Sequence, residues 1–139
     1  MKETLNLNND ISEVPLLAEW LESIGEQQNW PMSAVFQLNL ALEEAVVNVM
    51  SYAYPGKTGM PVQLTVENNG DKLIFTLKDQ GVPFDPTSTD DPDITLGVED
   101  RAIGGLGNFL VRQMMSTVDY ERRGETNVLT MTYILKNEE

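Results

Sequence analysis

Two hydrophobic periods alternate along the 139-residue chain, and the places where one gives way to the other mark its elements. The longest run at helical spacing is residues 38–54, LNLALEEAVVNVMSYAY. At about 100° per residue, Leu38, Leu42, Ala45 and Val49 fall on one face, while Leu40, Val47 and Met50 carry apolar character towards the far side. Gln37, Glu44, Asn48 and Ser51 follow one another at spacings of seven, four and three, so they form one polar stripe on a largely apolar helix. An ordinary surface helix would show a broad charged face instead. The stripe reads either as the wall of a cleft, with a carboxylate and a carboxamide stacked one turn apart, or as the helix's solvated edge.

The other elements follow from the same patterning. Residues 3–7 alternate weakly and predict an edge strand. Asn9, Asp10 and Ser12 offer N-caps to a helix whose apolar set includes Ile11, Val14, Leu17, Leu21 and Ile24, with Gly25 weakening its C-terminal part. Trp30-Pro31-Met32-Ser33 breaks the pattern, and Ser33 is positioned to cap the central helix, which Pro55-Gly56 ends by Tyr54. Residues 62–67 and 72–79 alternate around Asn68-Asn69-Gly70-Asp71, a hairpin signal. Residues 86–99 are rich in Asp, Pro, Ser and Thr without a period, which predicts a loop. Leu106, Leu110 and Met114 return to helical spacing over 106–115, and 118–122 and 127–135 predict two closing strands. Hairpins demand antiparallel pairs and the helices need one apolar sheet face, so the expected fold is α+β: a two-layer α/β sandwich with a mixed, mostly antiparallel sheet and helices on one face. With neither repeats nor a dividing linker, residues 1–139 are expected to form a single domain.

Composition narrows the chemistry. The chain has no cysteine and no histidine, which excludes disulfides, thiolate or histidine-ligated zinc, a Cys nucleophile and a Ser-His-Asp triad. Nine basic against 22 acidic residues give a net charge of −13, opposing direct binding to nucleic acid or to anionic membranes. The N-terminus lacks a signal-like apolar run, and no stretch approaches the roughly 20 apolar residues of a spanning helix. The expectation is a cytoplasmic protein. Gly56-Lys57-Thr58 superficially suggests a P-loop, but that motif needs a glycine five residues earlier, where Ser51 lies inside a helix. It reads as a turn.

Three features could converge at one end of such a sandwich: the stripe Glu44/Asn48, the strand end Asp79-x-Gly81, and the glycine-rich helix entrance Gly104-Gly105-Leu106-Gly107. A helix N-terminus preceded by glycines offers free N–H groups and room for a phosphate; the plainer reading is a set of flexible turns. Between Lys78 and Arg112 the only cation is Arg101, among six carboxylates from Asp85 to Asp100. A polyphosphate bound here would need Mg²⁺ and backbone dipoles, and Mg²⁺ takes only one or two protein oxygens beside phosphate and water, a role open to the Asn48 carbonyl. A Ca²⁺ loop is disfavoured by Pro92 and by the lack of a glycine where an EF-hand needs one.

Glu44-Ala45-x-x-Asn48, Asp79-x-Gly81-x-Pro83-Phe84-Asp85 and Gly104-Gly105-Leu106-Gly107 resemble the N, G1 and G2 boxes of the GHKL (histidine-kinase-like) ATPases, and more narrowly the small bacterial anti-sigma-factor serine/threonine kinases. The likeness runs over about residues 35–135 and rests on the order and spacing of the boxes. It implies a Bergerat-type ATP-binding fold, with ATP and Mg²⁺ as cofactors. It further implies that Asn48 ligates the metal, that Glu44 is the catalytic base for an attacking hydroxyl, and that Asp79 accepts from the adenine amino group while Gly81 leaves room for the ring. Gly104, Gly105, Leu106 and Gly107 would serve the phosphates, and Thr126 would lie near the base. Pro83, where histidine kinases usually carry glycine, supports the anti-sigma branch. Relatives often have arginine beside the second glycine box; here Ile103 and Gly104 stand there and Arg101 lies slightly earlier, which bears on its reach to the γ-phosphate. The implied function is an ATP-dependent kinase that phosphorylates a small antagonist protein and sequesters a partner such as a sigma factor. The alternative is a protein-binding module switched by nucleotide without phosphotransfer. Similar proteins often dimerise through the sheet and first helix, so a homodimer is the implied assembly.

Overall fold

A computed structural model of the chain describes residues 1–83, 85 and 111–135. The expected loop at 86–99 and the start of the helix expected at 106–115 lie outside them; residues 111–114 are helical, as the spacing implies. The chain begins with strand β1 (Lys2–Asn8), followed by a 3-10 turn (Ile11–Glu13) and helices α1 (Pro15–Gln28) and α2 (Met32–Tyr52). Strands β2 (Pro61–Asn69), β3 (Lys72–Asp79), β4 (Thr117–Arg123) and β5 (Thr126–Ile134) complete it. They form one five-stranded sheet in the order β1-β2-β3-β5-β4. All four pairings are antiparallel, so the mixed component expected of the sheet is absent among the described residues.

The alternation in the strands sets the layers. Val62, Leu64 and Val66 of β2, Leu73, Phe75 and Leu77 of β3, and Leu129, Met131 and Tyr133 of β5 are buried in phase. They share one core with Leu17, Leu21 and Ile24 of α1 and Leu38, Leu42, Ala45 and Val49 of α2. Both hairpins use two-residue loops, Gly70-Asp71 and Gly124-Glu125, whose glycines have φ of 64° and 59°. Glycine in the left-handed region at the first loop position is what a tight hairpin with the native strand twist requires.

The helix starts differ from the sequence expectation. Asp10 caps the 3-10 turn, its Oδ1 accepting from Ser12 N at 3.0 Å and Ser12 Oγ at 2.8 Å. The α-helix begins afresh at Pro15, which lacks an N–H and suits the first helical turn. Ile11 therefore lies outside the core, 56% exposed. Likewise Ser33 does not cap α2: the cap is Pro31, whose extended ψ of 142° turns its carbonyl to accept from Ala34 N and Val35 N. Gly25 has a packing role. A Cβ there would stand 2.7 Å from Val35 Cγ2, so its absence lets α1 lie close on α2. Lys57 lies in the predicted turn, its carbonyl accepting from Asn9 Nδ2 at 2.8 Å. Among the described residues no helix is long and apolar enough to cross a membrane.

Candidate functional site

Asp79 is the last residue of β3 and keeps the phase of Leu73, Phe75 and Leu77, so a carboxylate is carried onto the helix-facing side of the sheet, only 5% exposed. Its register partner on β5 is Asn127, likewise buried. Asn127 Nδ2 donates to Asp79 Oδ1 at 2.9 Å and to Val82 O at 2.8 Å. Gly81 N donates to the same Oδ1 at 2.9 Å, closing an Asx turn at the strand's end. Arg122 Nη1 donates to Gly81 O at 2.7 Å and to Asn127 Oδ1 at 3.1 Å, and the Tyr120 hydroxyl bonds Asn127 Oδ1 as well. Among the described residues, both donors to Asp79 thus reach the same oxygen, Oδ1, and the Arg122 and Tyr120 bonds hold those donors in place. Burial pushes the Asp79 carboxyl above its ordinary 3.8, opposed by the Asn127 and Gly81 hydrogen bonds and the Arg122 charge.

The same turn is fastened to the end of α2. Val82 N donates to Ala53 O at 2.7 Å, which satisfies a carbonyl beyond the last helical residue. Tyr54 Oη donates to Pro61 O at 2.6 Å and accepts from Gln80 N at 2.7 Å. Gly81 sits so near that a Cβ would fall 2.1 Å from Ala53 O and 2.7 Å from Ala53 Cβ. Glycine is required here for the close approach of strand end and helix end. Asn48 is five residues before Ala53, about 7 Å along the axis, and Glu44 is one turn further. Asn48 is 3% exposed, a polar residue within α2's apolar buried set, and Glu44 is half-buried. The polar stripe is thus graded, with Gln37 and Ser51 exposed at its ends. A cleft of about 370 Å³ opens beside the turn, its lining including Gly81, Val82, Pro83, Lys57 and Arg122; Asn48 and Asp79 do not line it.

Of the residues singled out in sequence, Asp79, Gly81 and Pro83 lie on one turn, and Asn48 and Glu44 on the helix whose end that turn grips. Thr126 pairs with Arg123 beyond the end of the Asp79–Asn127 rung, and strand alternation gives it the face opposite Asp79. Arg101, Gly104, Gly105, Leu106 and Gly107 lie outside the described residues. Asn127, Arg122 and Tyr54 were not singled out. The signal for Asn127 was a polar residue in phase with Leu129, Met131 and Tyr133 on a strand whose other in-phase positions are apolar.

An α+β sandwich with an acidic strand end clamped to a helix terminus defines the class, and comparison with known proteins supplies the family. Residues 7–133 match the family model described as histidine kinase-like ATPase domain. The chain belongs to that family. It is 29% identical over 130 residues to the serine/threonine-protein kinase BtrW of Bordetella bronchiseptica, spanning 94% of this chain and 92% of that one. It is 28% identical over 134 residues to the serine-protein kinase RsbW of Listeria monocytogenes, spanning 93% and 85% respectively. Among solved structures, the RsbU and RsbW domains of a Mycobacterium tuberculosis protein align with a TM-score of 0.71 at 13% identity, covering 99% of this chain and 33% of that one. The histidine kinase domain of an Erythrobacter litoralis blue-light activated histidine kinase aligns with a TM-score of 0.55 at 18% identity, over 88% of this chain and 60% of that one. These two likenesses establish the fold.

Proposed function

We propose that the chain is a single-domain, ATP-dependent serine/threonine protein kinase of the anti-sigma-factor type, acting in the cytoplasm. It would phosphorylate a small antagonist protein and, when not so engaged, sequester a partner such as a sigma factor. The observation that carries this reading is the Asp79 turn. A buried carboxylate whose donors among the described residues both use Oδ1 suits a ligand donor such as the adenine amino group at its other oxygen. GTP is then expected to bind more weakly than ATP, because guanine presents a carbonyl where adenine presents that amino group; equal affinities in calorimetry would remove Asp79 from base recognition.

The donor set suits Mg²⁺. Among the described residues no group of three or more acidic side chains could cage a cation. Asn48 would supply one hard oxygen, and Mg²⁺ typically takes only one or two protein oxygens beside phosphate and water. When bound, the ion would neutralise phosphate charge. Glu44, one helical turn from Asn48, would take the proton from the incoming serine or threonine hydroxyl as that oxygen bonds the γ-phosphorus and ADP leaves. Arg101 and the glycines 104, 105 and 107 are assigned to the phosphates, with Leu106 between them. The test is incubation with Mg-ATP and candidate antagonist proteins, reading phosphate on the antagonist. Transfer to serine or threonine supports the assignment, and failure to bind ATP at all on folded protein would refute it.

A further inference from the structure

The basic residues of this chain are segregated. Between Lys2 and Lys57 there is no lysine, arginine or histidine, while Asp10, Glu13, Glu19, Glu22, Glu26, Glu43 and Glu44 all fall there. That stretch contains both α1 and α2, so neither helix carries a cation to offset its carboxylates. On their outer side a groove of about 550 Å³ runs between the two helices, floored by Gly25, Trp30 and Val35 and rimmed by Glu22 and Glu26. Over it stand Met32 and Phe36, one turn apart on α2 and 89% and 70% exposed. Large apolar side chains this exposed, grouped at a groove, mark an interaction surface. Close packing of the helices at Gly25 forms the groove floor without filling it.

We propose that this groove docks a basic amphipathic helix of a partner protein, one that seats apolar side chains at i, i+3/i+4 and i+7 between Met32, Phe36 and Trp30 and sets lysines or arginines against Glu22 and Glu26. The charge complementarity selects this occupant. A second copy of the same face would bring carboxylates against carboxylates, and an anionic bilayer would be repelled. Helix-in-groove recognition supplies affinity through apolar anchors and specificity through rim charges. Phe36 lies twelve residues before Asn48, roughly 18 Å along α2, so a docked helix leaves the Asp79 end free for nucleotide. The surface is therefore distinct from the proposed ATP site.

The probe is a labelled peptide of about 18 residues, with leucines at helical spacing and lysines flanking them, titrated into the full chain with anisotropy as readout. Phe36→Ala is expected to weaken binding at least tenfold with an unchanged melting temperature, since Phe36 is mostly exposed. Glu22→Lys/Glu26→Lys is expected to do the same. Asp71→Lys/Asp119→Lys, an equal charge change at exposed sheet-side positions, is expected to alter binding less than threefold. Equal weakening by both charge reversals would reduce the effect to bulk attraction and overturn the proposal. So would undiminished binding to Phe36→Ala, or equal binding of the peptide with glutamates for lysines. A shift from dimer to monomer on Phe36→Ala in light scattering would give the groove to a second copy and likewise overturn it.

Discussion

At Asp79, folding stability and the proposed part in adenine recognition pull in opposite directions. Burial raises its pKa above 3.8, so the folded state favours the protonated form. Its contribution to stability is fully present below 3.8 and is lost as pH rises through the raised folded value. Asp79→Asn keeps an oxygen to accept from Asn127 and Gly81 but removes the desolvated charge. The variant is expected to unfold at an equal or higher urea concentration at pH 7 and to show a flatter pH dependence above pH ~4. ATP affinity should nevertheless fall at least tenfold, about 1.4 kcal/mol, because an amide N–H would face the adenine amino group. Urea titrations across pH, with calorimetry for ATP, check both halves; a variant destabilised at pH 7 that binds ATP normally would contradict them. At Gly81 the constraint is steric. An added Cβ would meet the Ala53 backbone at 2.1 Å, and backbone cannot rotate away as a side-chain tip can. Gly81→Ala is expected to cost at least the 1–3 kcal/mol typical of overpacking, measured by urea denaturation. An unchanged midpoint would mean that the turn is not held against α2.

The element on which the rest depends is α2. Its first half is tied to the sheet where Tyr133 Oη donates to Gln37 Oε1 at 2.7 Å, and its end is tied to the Asp79 turn through Ala53. Its outer contact with α1 passes over Gly25. Alanine there would gain about 1 kcal/mol of helix propensity but place a Cβ 2.7 Å from Val35 Cγ2, on a β-branched side chain with little χ1 freedom in a helix. The clash dominates, and Gly25→Ala is expected to be destabilised by about 1–2 kcal/mol in chemical denaturation; a stabilised variant would show that the helices can part without loss. Much of this element was legible in sequence, because the run of apolar residues broken by Glu44 and Asn48 is a local pattern. Both hairpins were legible for the same reason, their turns being written in Gly70 and Gly124. Helix starts were less so, since Pro31 and Pro15 act through φ and a missing donor while nearby Ser and Asp residues mimic the commoner caps. The partner of Asp79 depends on the pairing of β3 with β5, strands nearly fifty residues apart. Only that register brings forward Asn127, not its neighbour Thr126, and no local signal carries it.

For the whole molecule, α1 and α2 carry carboxylates and no cation, while Lys2, Lys72, Lys78, Arg122 and Arg123 lie on strands, within a net charge of −13. An anionic nucleotide bound at the proposed site would depend on backbone dipoles and a metal beside so few cations, so the division of labour between Asn48 and Glu44 matters most. Asn48 would act in binding as well as chemistry. Glu44 would act on the proton in the transition state. The most direct measurement is phosphate transfer from Mg-ATP to a cognate antagonist by the parent protein and by Glu44→Gln, with ATP affinity measured on both. Glu44→Gln is expected to bind ATP within a few-fold of the parent, under about 1 kcal/mol, while transfer falls by about 10² to 10⁴-fold. Transfer by Glu44→Gln as fast as by the parent would contradict it, and a parent that binds ATP yet phosphorylates no cognate antagonist would make the protein a nucleotide-switched binding module instead.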